Sequence, residues 1–270
     1  MLPAESAISR FRRDLTLAAL LRGALITGAA LCMFAGPLFG DRGEFLPAAI
    51  IIGLWVALSY RSLRGSRLSA DSPSLIAAGE YDRAERHIDA ALRTFSLFRT
   101  SKLLSMHHLA LLRHAQRRWR ETCLLTQALL SQRLGRGILS SLRRTTLLMQ
   151  ADAMLQLEDL RGAADTLGQL HHQHLNLNEA LTLQLLQLDY ESRIGAFESM
   201  LNSIATKIQL SELMPSLNAA RSQALMAVAA KRTGRLPLAV WLRRRSELLA
   251  DTAELTADRP VLVEMSREVW

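Results

Sequence analysis

The sequence predicts an all-α chain in which two apolar N-terminal helices precede an α-solenoid of about five helix pairs. Three observations carry this. Hydrophobic residues make up 49% of the 270 residues but aromatics only 5%, with Leu, Ala and Arg dominant, and such side chains keep most of their rotamer freedom in a helix. Seven Pro and fourteen Gly are too few to punctuate an all-β chain with tight turns. Two uncharged runs, Gly23 to Gly40 and Phe45 to Tyr60, approach the length of about 20 apolar residues that a helix needs to cross a bilayer.

Residues 1–68 read as a transmembrane hairpin with spans at about 17–39 and 45–63. Leu15 to Leu21 lengthens the first run past Arg22, whose side chain reaches the interface, and Arg61 to Leu63 lengthens the second. Asp41 to Phe45 forms a short polar turn between them. Arg10, Arg12, Arg13 and Arg22 flank the first span and Arg61, Arg64 and Arg67 follow the second, whereas the turn holds only Arg42. This bias places both ends inside, predicting a multi-pass protein of the inner (cytoplasmic) membrane with its N-terminus and everything after residue 68 in the cytoplasm. A cleaved leader fits less well, because a second apolar run follows the first at once. Cys32 lacks a small residue before it, Leu31 standing there, so lipoprotein processing is not expected. Cys123 is the other cysteine, and two isolated thiols form no disulfide or zinc framework.

A polar linker, Arg64 to Asp71, is expected before residues 69–255, where Ser72-Pro73 marks a helix start. Gly79-Glu80-Tyr81-Asp82-Arg83-Ala84 then sets a pattern: a turn, a large residue that opens a helix, and a small one three positions later. Trp119 with Thr122, Leu160 with Ala163, Phe197 with Met200 in the small position, and Leu236 with Ala239 repeat it at spacings of 38, 41, 37 and 39 residues. Between these marks Leu103, Leu104, His107, Leu111 and Ala115 make one helical stripe, and Leu181, Leu185, Leu188 and Tyr190 contribute to another. Asn176 to Glu179 and Pro215-Ser216 stand where helices should begin, and Gly234 where one should end. Residues 256–270 read as a terminal helix covering the last pair, as the outer face of a repeat stack requires.

This device resembles the inter-helix turn of the tetratricopeptide repeat (TPR) family over roughly residues 72–250, although the period lies between the 34 of that family and the 40–47 of HEAT and armadillo units. The resemblance implies a concave face lined by the first helix of each pair. On the family's spacing His107, His114, Asp152, Gln156, Asp189, Arg193, Arg221, Lys231 and Arg232 would line it and hold a protein or peptide partner. In architecture the chain is also similar to the TPR-bearing inner-membrane proteins encoded beside heme-biosynthesis enzymes. That likeness implies a second reading, an accessory subunit of a membrane enzyme or tetrapyrrole pathway with His107 or His114 near the cofactor.

Charge points to the bilayer as a further partner. Residues 83–144 carry thirteen basic residues against three acidic, whereas residues after 144 carry twelve against fifteen. The basic half is the one next to the hairpin, and anionic headgroups attract each nearby Lys or Arg by roughly 1 kcal/mol. Arg61, Arg64, Arg67, Arg83 and Arg86 are the expected membrane-surface residues. Nucleic acid is a weaker candidate: Arg117, Arg118, Arg120 and Arg243 to Arg245 cluster, but aromatics for base stacking are scarce. His171, His172 and His174 form a local group without carboxylates at matching spacing, so no metal site is expected. No Gly-rich phosphate loop, nucleophile elbow or His-Glu-Xaa-Xaa-His pair occurs, and acidic residues are scattered. The expectation is therefore a membrane-anchored scaffold or adaptor, with no catalytic residue and no cofactor of its own.

Overall fold

The computed structural model describes the backbone of residues 3–39, 45–132, 138–256 and 260–263. Every regular element among them is helical, so the chain is all-α. It divides into two compact units, Met1–Leu142 and Arg143–Trp270.

The first unit contains α1 (Ala4–Phe39), α2 (Phe45–Ala70), α3 (Ser72–Ala77), α4 (Tyr81–Arg93), α5 (Arg99–Ala115) and α6 (Trp119–Leu130). The helix α1 packs on α2, α4, α5 and α6. Its buried positions, Ala4, Ala7, Phe11, Asp14, Ala18 and Leu25, follow the alternating three–four spacing that keeps one stripe facing its partners. The expected linker at Arg64 to Asp71 is instead the final turns of α2, unbroken to Ala70. Two contacts explain the continuity. The amide of Leu97 donates to Ser62 Oγ at 2.8 Å, and the hydroxyls of Ser69 and Ser105 meet at 3.3 Å. Farther along, an added Cβ on Gly28 would lie 3.4 Å from Ile51 Cδ1, so α1 and α2 run close together there. The turn at Asp41 to Phe45 lies outside the described residues apart from Phe45.

The stripe expected on α5 divides in two. Leu103 is buried with Met106, Leu109, Ala110 and Leu112, while Leu104 is exposed and His107, Leu111 and Ala115 are half-buried. Contacts of α5 with α1, α2, α3, α4 and α6 enclose most of its surface and leave that second face least covered.

The second unit is described from α7 (Ile138–Gln156), which spans the boundary, and continues with α8 (Leu160–His171), α9 (Leu177–Arg193), α10 (Phe197–Leu201), α11 (Ile204–Glu212), α12 (Ser216–Arg232), α13 (Leu236–Leu249) and α14 (Thr252–Thr256). Asn176 and Glu179 form a reciprocal capping box at the start of α9, which satisfies two otherwise orphaned amides. The core gathers around α12, where Ser222 to Ala230 are all buried. Its alanines let α9, α10, α11 and α13 approach on several sides, as a helix without a polar face requires. The expected second helix of the fourth pair is broken at Asn202 and Ser203, with Ser203 left-handed at φ 53°. Lys207 Nζ then donates to the carbonyls of Ser199 and Met200 at 3.0 and 2.9 Å, satisfying the end of α10. Of the terminal helix expected over 256–270, Pro260–Leu262 is a 3₁₀ turn whose Leu262 is buried in this core; residues 257–259 and 264–270 lie outside the described part.

The five expected turns share one backbone geometry. Gly79, Arg117, Glu158, Gly195 and Gly234 are left-handed, with φ of 78°, 59°, 62°, 74° and 77°. The next residue has φ between −80° and −87° and ψ between 52° and 74° in every case. Its amide reaches back five residues: Glu80 to Leu75, Arg118 to Arg113, Asp159 to Met154, Ala196 to Glu191 and Arg235 to Ala230, at 2.8–3.0 Å. This is the Schellman closure of a helix end. The residue three positions into the next helix (Ala84, Thr122, Ala163, Met200 or Ala239) is fully buried each time. Met can occupy the small position because its flexible thioether adapts to irregular space.

Candidate membrane anchor and partner-binding residues

An apolar surface begins on α1 about one turn past Asp14. Leu17, Leu20, Ile26 and Leu31 are exposed, as are Ile50, Ile52, Leu54, Trp55, Val56, Tyr60 and Leu63 on α2. Contiguous exposed apolar side chains of this kind mark a surface that meets a protein partner or a membrane. By length and composition, Ala4–Leu31 is the candidate membrane-spanning helix among the described residues, and it lies near the N-terminus. Side chains of residues 32–48, Cys32 among them, lie outside the description. Arg61, Arg64 and Arg67 are exposed on α2, and Arg83 and Arg86 on α4, where Arg83 pairs with Glu80.

Below the apolar surface, α1 is tied to the rest of its unit by a charge that sequence reading missed. Asp14 falls on the buried stripe and receives a 2.6 Å hydrogen bond from Lys102 Nζ of α5, which also donates to the Leu92 carbonyl at 2.6 Å. The side chains are 10% and 2% exposed. Burial pushes the Lys102 pKa down, with the Asp14 hydrogen bond and charge opposing that shift. The signal in the sequence was a lone carboxylate in an otherwise apolar heptad stripe. A second buried cation, Arg113, holds Glu85 at 2.9 Å, Glu121 at 3.0 Å and Gln116 at 2.7 Å, joining α4, α5 and α6 through fixed guanidinium geometry.

The proposed groove residues are distributed as follows. His107, Leu111 and His114 share the least covered face of α5, with His114 edge-on to Trp119 at 5.2 Å between ring centroids. Burial, then the charge of neighbouring His108, lowers the His107 pKa to about 4. Burial also lowers that of His108. In the second unit Asp152 and Gln156 of α7 are half-buried. Asp189 of α9 is fully enclosed and accepts from Arg193 Nε at 3.3 Å, so Asp189 positions Arg193 rather than presenting its own carboxylate. Arg221 and Lys231 of α12 are half-buried and Arg232 is exposed.

Arg118, Arg243, Arg245 and His171, from the other clusters, make local contacts. Arg245 stacks 4.9 Å over the Trp241 ring and pairs with Glu212 at 2.6 Å, Arg243 pairs with Glu247 at 2.7 Å, and Arg118 pairs with Glu121 at 2.9 Å. His171, His172 and His174 are exposed, His171 Nε2 lying 3.3 Å from Gln187 Oε1. Among the described residues no group of three His, Cys, Asp or Glu side chains could hold a metal ion. Comparison of the chain with protein-family models, curated proteins and solved structures yields no match.

Proposed function

We propose that the chain is a membrane-anchored TPR-like adaptor that holds an extended or helical segment of a protein partner on the cytoplasmic side of the inner membrane. The observation that carries this reading is the fivefold recurrence of one turn geometry, left-handed residue, Schellman closure and buried small residue. Such recurrence is what a stack of helix pairs needs if each is to bury its face on the next. Anchoring supports the same reading. The exposed apolar surface of α1 and α2 suits lipid, and Phe11, Asp14 and Ala18 are part of the core of the first unit, so removing α1 as a leader would open that core. A tethered groove raises the effective concentration of its partner at the membrane.

In-cell crosslinking of the full-length protein, followed by mass spectrometry, tests this. One dominant partner crosslinked near His107, His114, Arg193 or Arg221 is expected. Crosslinks confined to the chain itself would instead leave the groove without a function. The intact mass of the chain recovered from membranes adds the anchor test, since a leader would leave a species lacking α1. The tetrapyrrole reading has one observation in its favour, the position of His107 and His114 on the least covered face of α5. A Soret band in the purified protein supports it, and a featureless spectrum dismisses it.

A further inference from the structure

Beside the joint between α1 and α4 lies an open cavity of about 400 Å³ lined by Arg10, Arg13, Asp14, Leu92 and Arg93. Asp14, the carboxylate in that lining, is already engaged by Lys102 at 2.6 Å, and Asp89, outside the lining, pairs with Arg93 at 2.8 Å and lies 3.9 Å from Arg10. Arg13 is 71% exposed and lies 3.9 Å from Asp14. Counted with these partners, the four cations Arg10, Arg13, Arg93 and Lys102 meet two carboxylates, and the three guanidinium groups are the cations that line the cavity. The Leu92 carbonyl, which would repel an anion, accepts from Lys102.

Depth narrows the ligand, and this step rests on the membrane reading above. If the first span begins at about Leu17, Arg13 lies roughly 6 Å and Arg10 roughly 10 Å below it, at 1.5 Å per residue. The headgroup layer is about 5–8 Å thick on each side of the hydrocarbon core, and long arginine side chains reach upward into it. Guanidinium forks match phosphate oxygens in pairs, and the cavity is within the usual size range of small-ligand sites, about 300–1,000 Å³. We propose that Arg10, Arg13 and Arg93 form a binding site for a phosphate monoanion, supplied by the phosphodiester headgroup of an anionic phospholipid in the inner leaflet. This is a defined site, distinct from the diffuse attraction of Arg61, Arg64 and Arg67.

The test uses the full-length protein purified from nanodiscs of phosphatidylcholine with phosphatidylglycerol, scored by native mass spectrometry for retained phosphatidylglycerol. Wild type should retain it. Retention should fall more than about tenfold in R10Q/R13Q/R93Q and roughly fivefold in R13Q alone, which disturbs only the loose pair with Asp14 and so keeps the fold. R61Q/R64Q/R67Q should retain it nearly as wild type does. Equal losses in the two triple variants, or none in R13Q, would overturn the site. Inorganic phosphate added to lipid-free protein in detergent separates the sources. A rise in Tm that R13Q abolishes, without phosphatidylglycerol retention, keeps the anion site but assigns it to free phosphate. Extraction of the chain from vesicles by alkaline carbonate would remove the membrane reading by itself. The phosphate arm then decides the site alone, and an unchanged Tm ends it.

Discussion

At the scale of single residues, the Asp14–Lys102 pair and His107 bear the clearest consequences. Both members of the pair are nearly enclosed, so deleting one strands the other in a poorly solvated place. Replacing Lys102 by Met should destabilise the chain by about 3 kcal/mol, whereas D14L/K102M, which removes both charges, should recover most of that loss. Thermal unfolding of the full chain in detergent reads the comparison. A single variant as stable as wild type would mean that water already reaches the pair. His107 gives a pH signature. Its folded pKa of about 4 lies below the ordinary 6.5, so the unfolded chain takes up its proton first as the pH falls. Its contribution is complete above pH 6.5 and is lost as the pH falls from there toward 4. Between pH 7 and pH 5 the loss attributable to His107 should approach about 2 kcal/mol. The difference in Tm between those pH values should shrink by that share in H107Q, and an undiminished difference would assign the acid sensitivity to other groups.

At the scale of elements, the turns decide most. Gly234 is left-handed at φ 77° with open space where a Cβ would stand, so Gly234→Ala should cost about 1–2 kcal/mol from backbone conformation alone. Glu158 holds the same conformation at φ 62° with a side chain; E158G should be neutral to slightly stabilising, gaining less than about 1 kcal/mol. Urea denaturation of the two variants separates them, and a stabilised G234A would mean that the turn conformation is wrongly assigned. These turns were also the most legible part of the sequence, because a large residue followed by a small one three positions on marks the second helix whether or not glycine precedes it. The left-handed state of Arg117 and Glu158 was not legible, since neither residue type announces it. The break at Asn202 and Ser203 left only a weak signal: both residue types favour helix ends over interiors, but residues 197–212 hold no Gly or Pro to mark a stop, and the capping of α10 by Lys207 depends on tertiary position. The α5 stripe misled in part because a helix packed on five neighbours has no single apolar face to read. Of the candidate site, the flanking arginines of α2 were legible from charge bias. The Arg10–Arg13–Arg93 cluster was not, because it joins residues about 80 positions apart that only folding brings together.

At the scale of the whole molecule, the consequential feature is where the first compact unit begins. Composition suggests a membrane part ending near residue 68 and a separable domain after it, yet α1 and α2 continue past the apolar surface into the core of a unit that extends to Leu142. Phe11 is buried there, Asp14 holds Lys102, Ser62 accepts from the Leu97 amide and Ser69 meets Ser105. A fragment starting at residue 69 would leave Lys102 without its carboxylate, the Leu97 amide without its acceptor, and the apolar faces of α4, α5 and α6 uncovered. Buried polar groups left unmatched cost about 1–3 kcal/mol each, and more when charged, against a total stability of roughly 5–15 kcal/mol for a typical domain. Residues 69–270 should therefore be poorly soluble or molten, with no cooperative unfolding of their first half. Residues 143–270, which carry the α12-centred core intact, should unfold cooperatively by themselves. Circular dichroism and hydrogen exchange of the two fragments test this. A dispersed 69–270 fragment whose α5 amides are as protected as in the full chain would show that α1 and α2 do not support the rest of their unit. Loss of protection confined to α4, α5 and α6 is the expected result, because the buried stripe of α1 and the last turns of α2 are part of the fold of that unit.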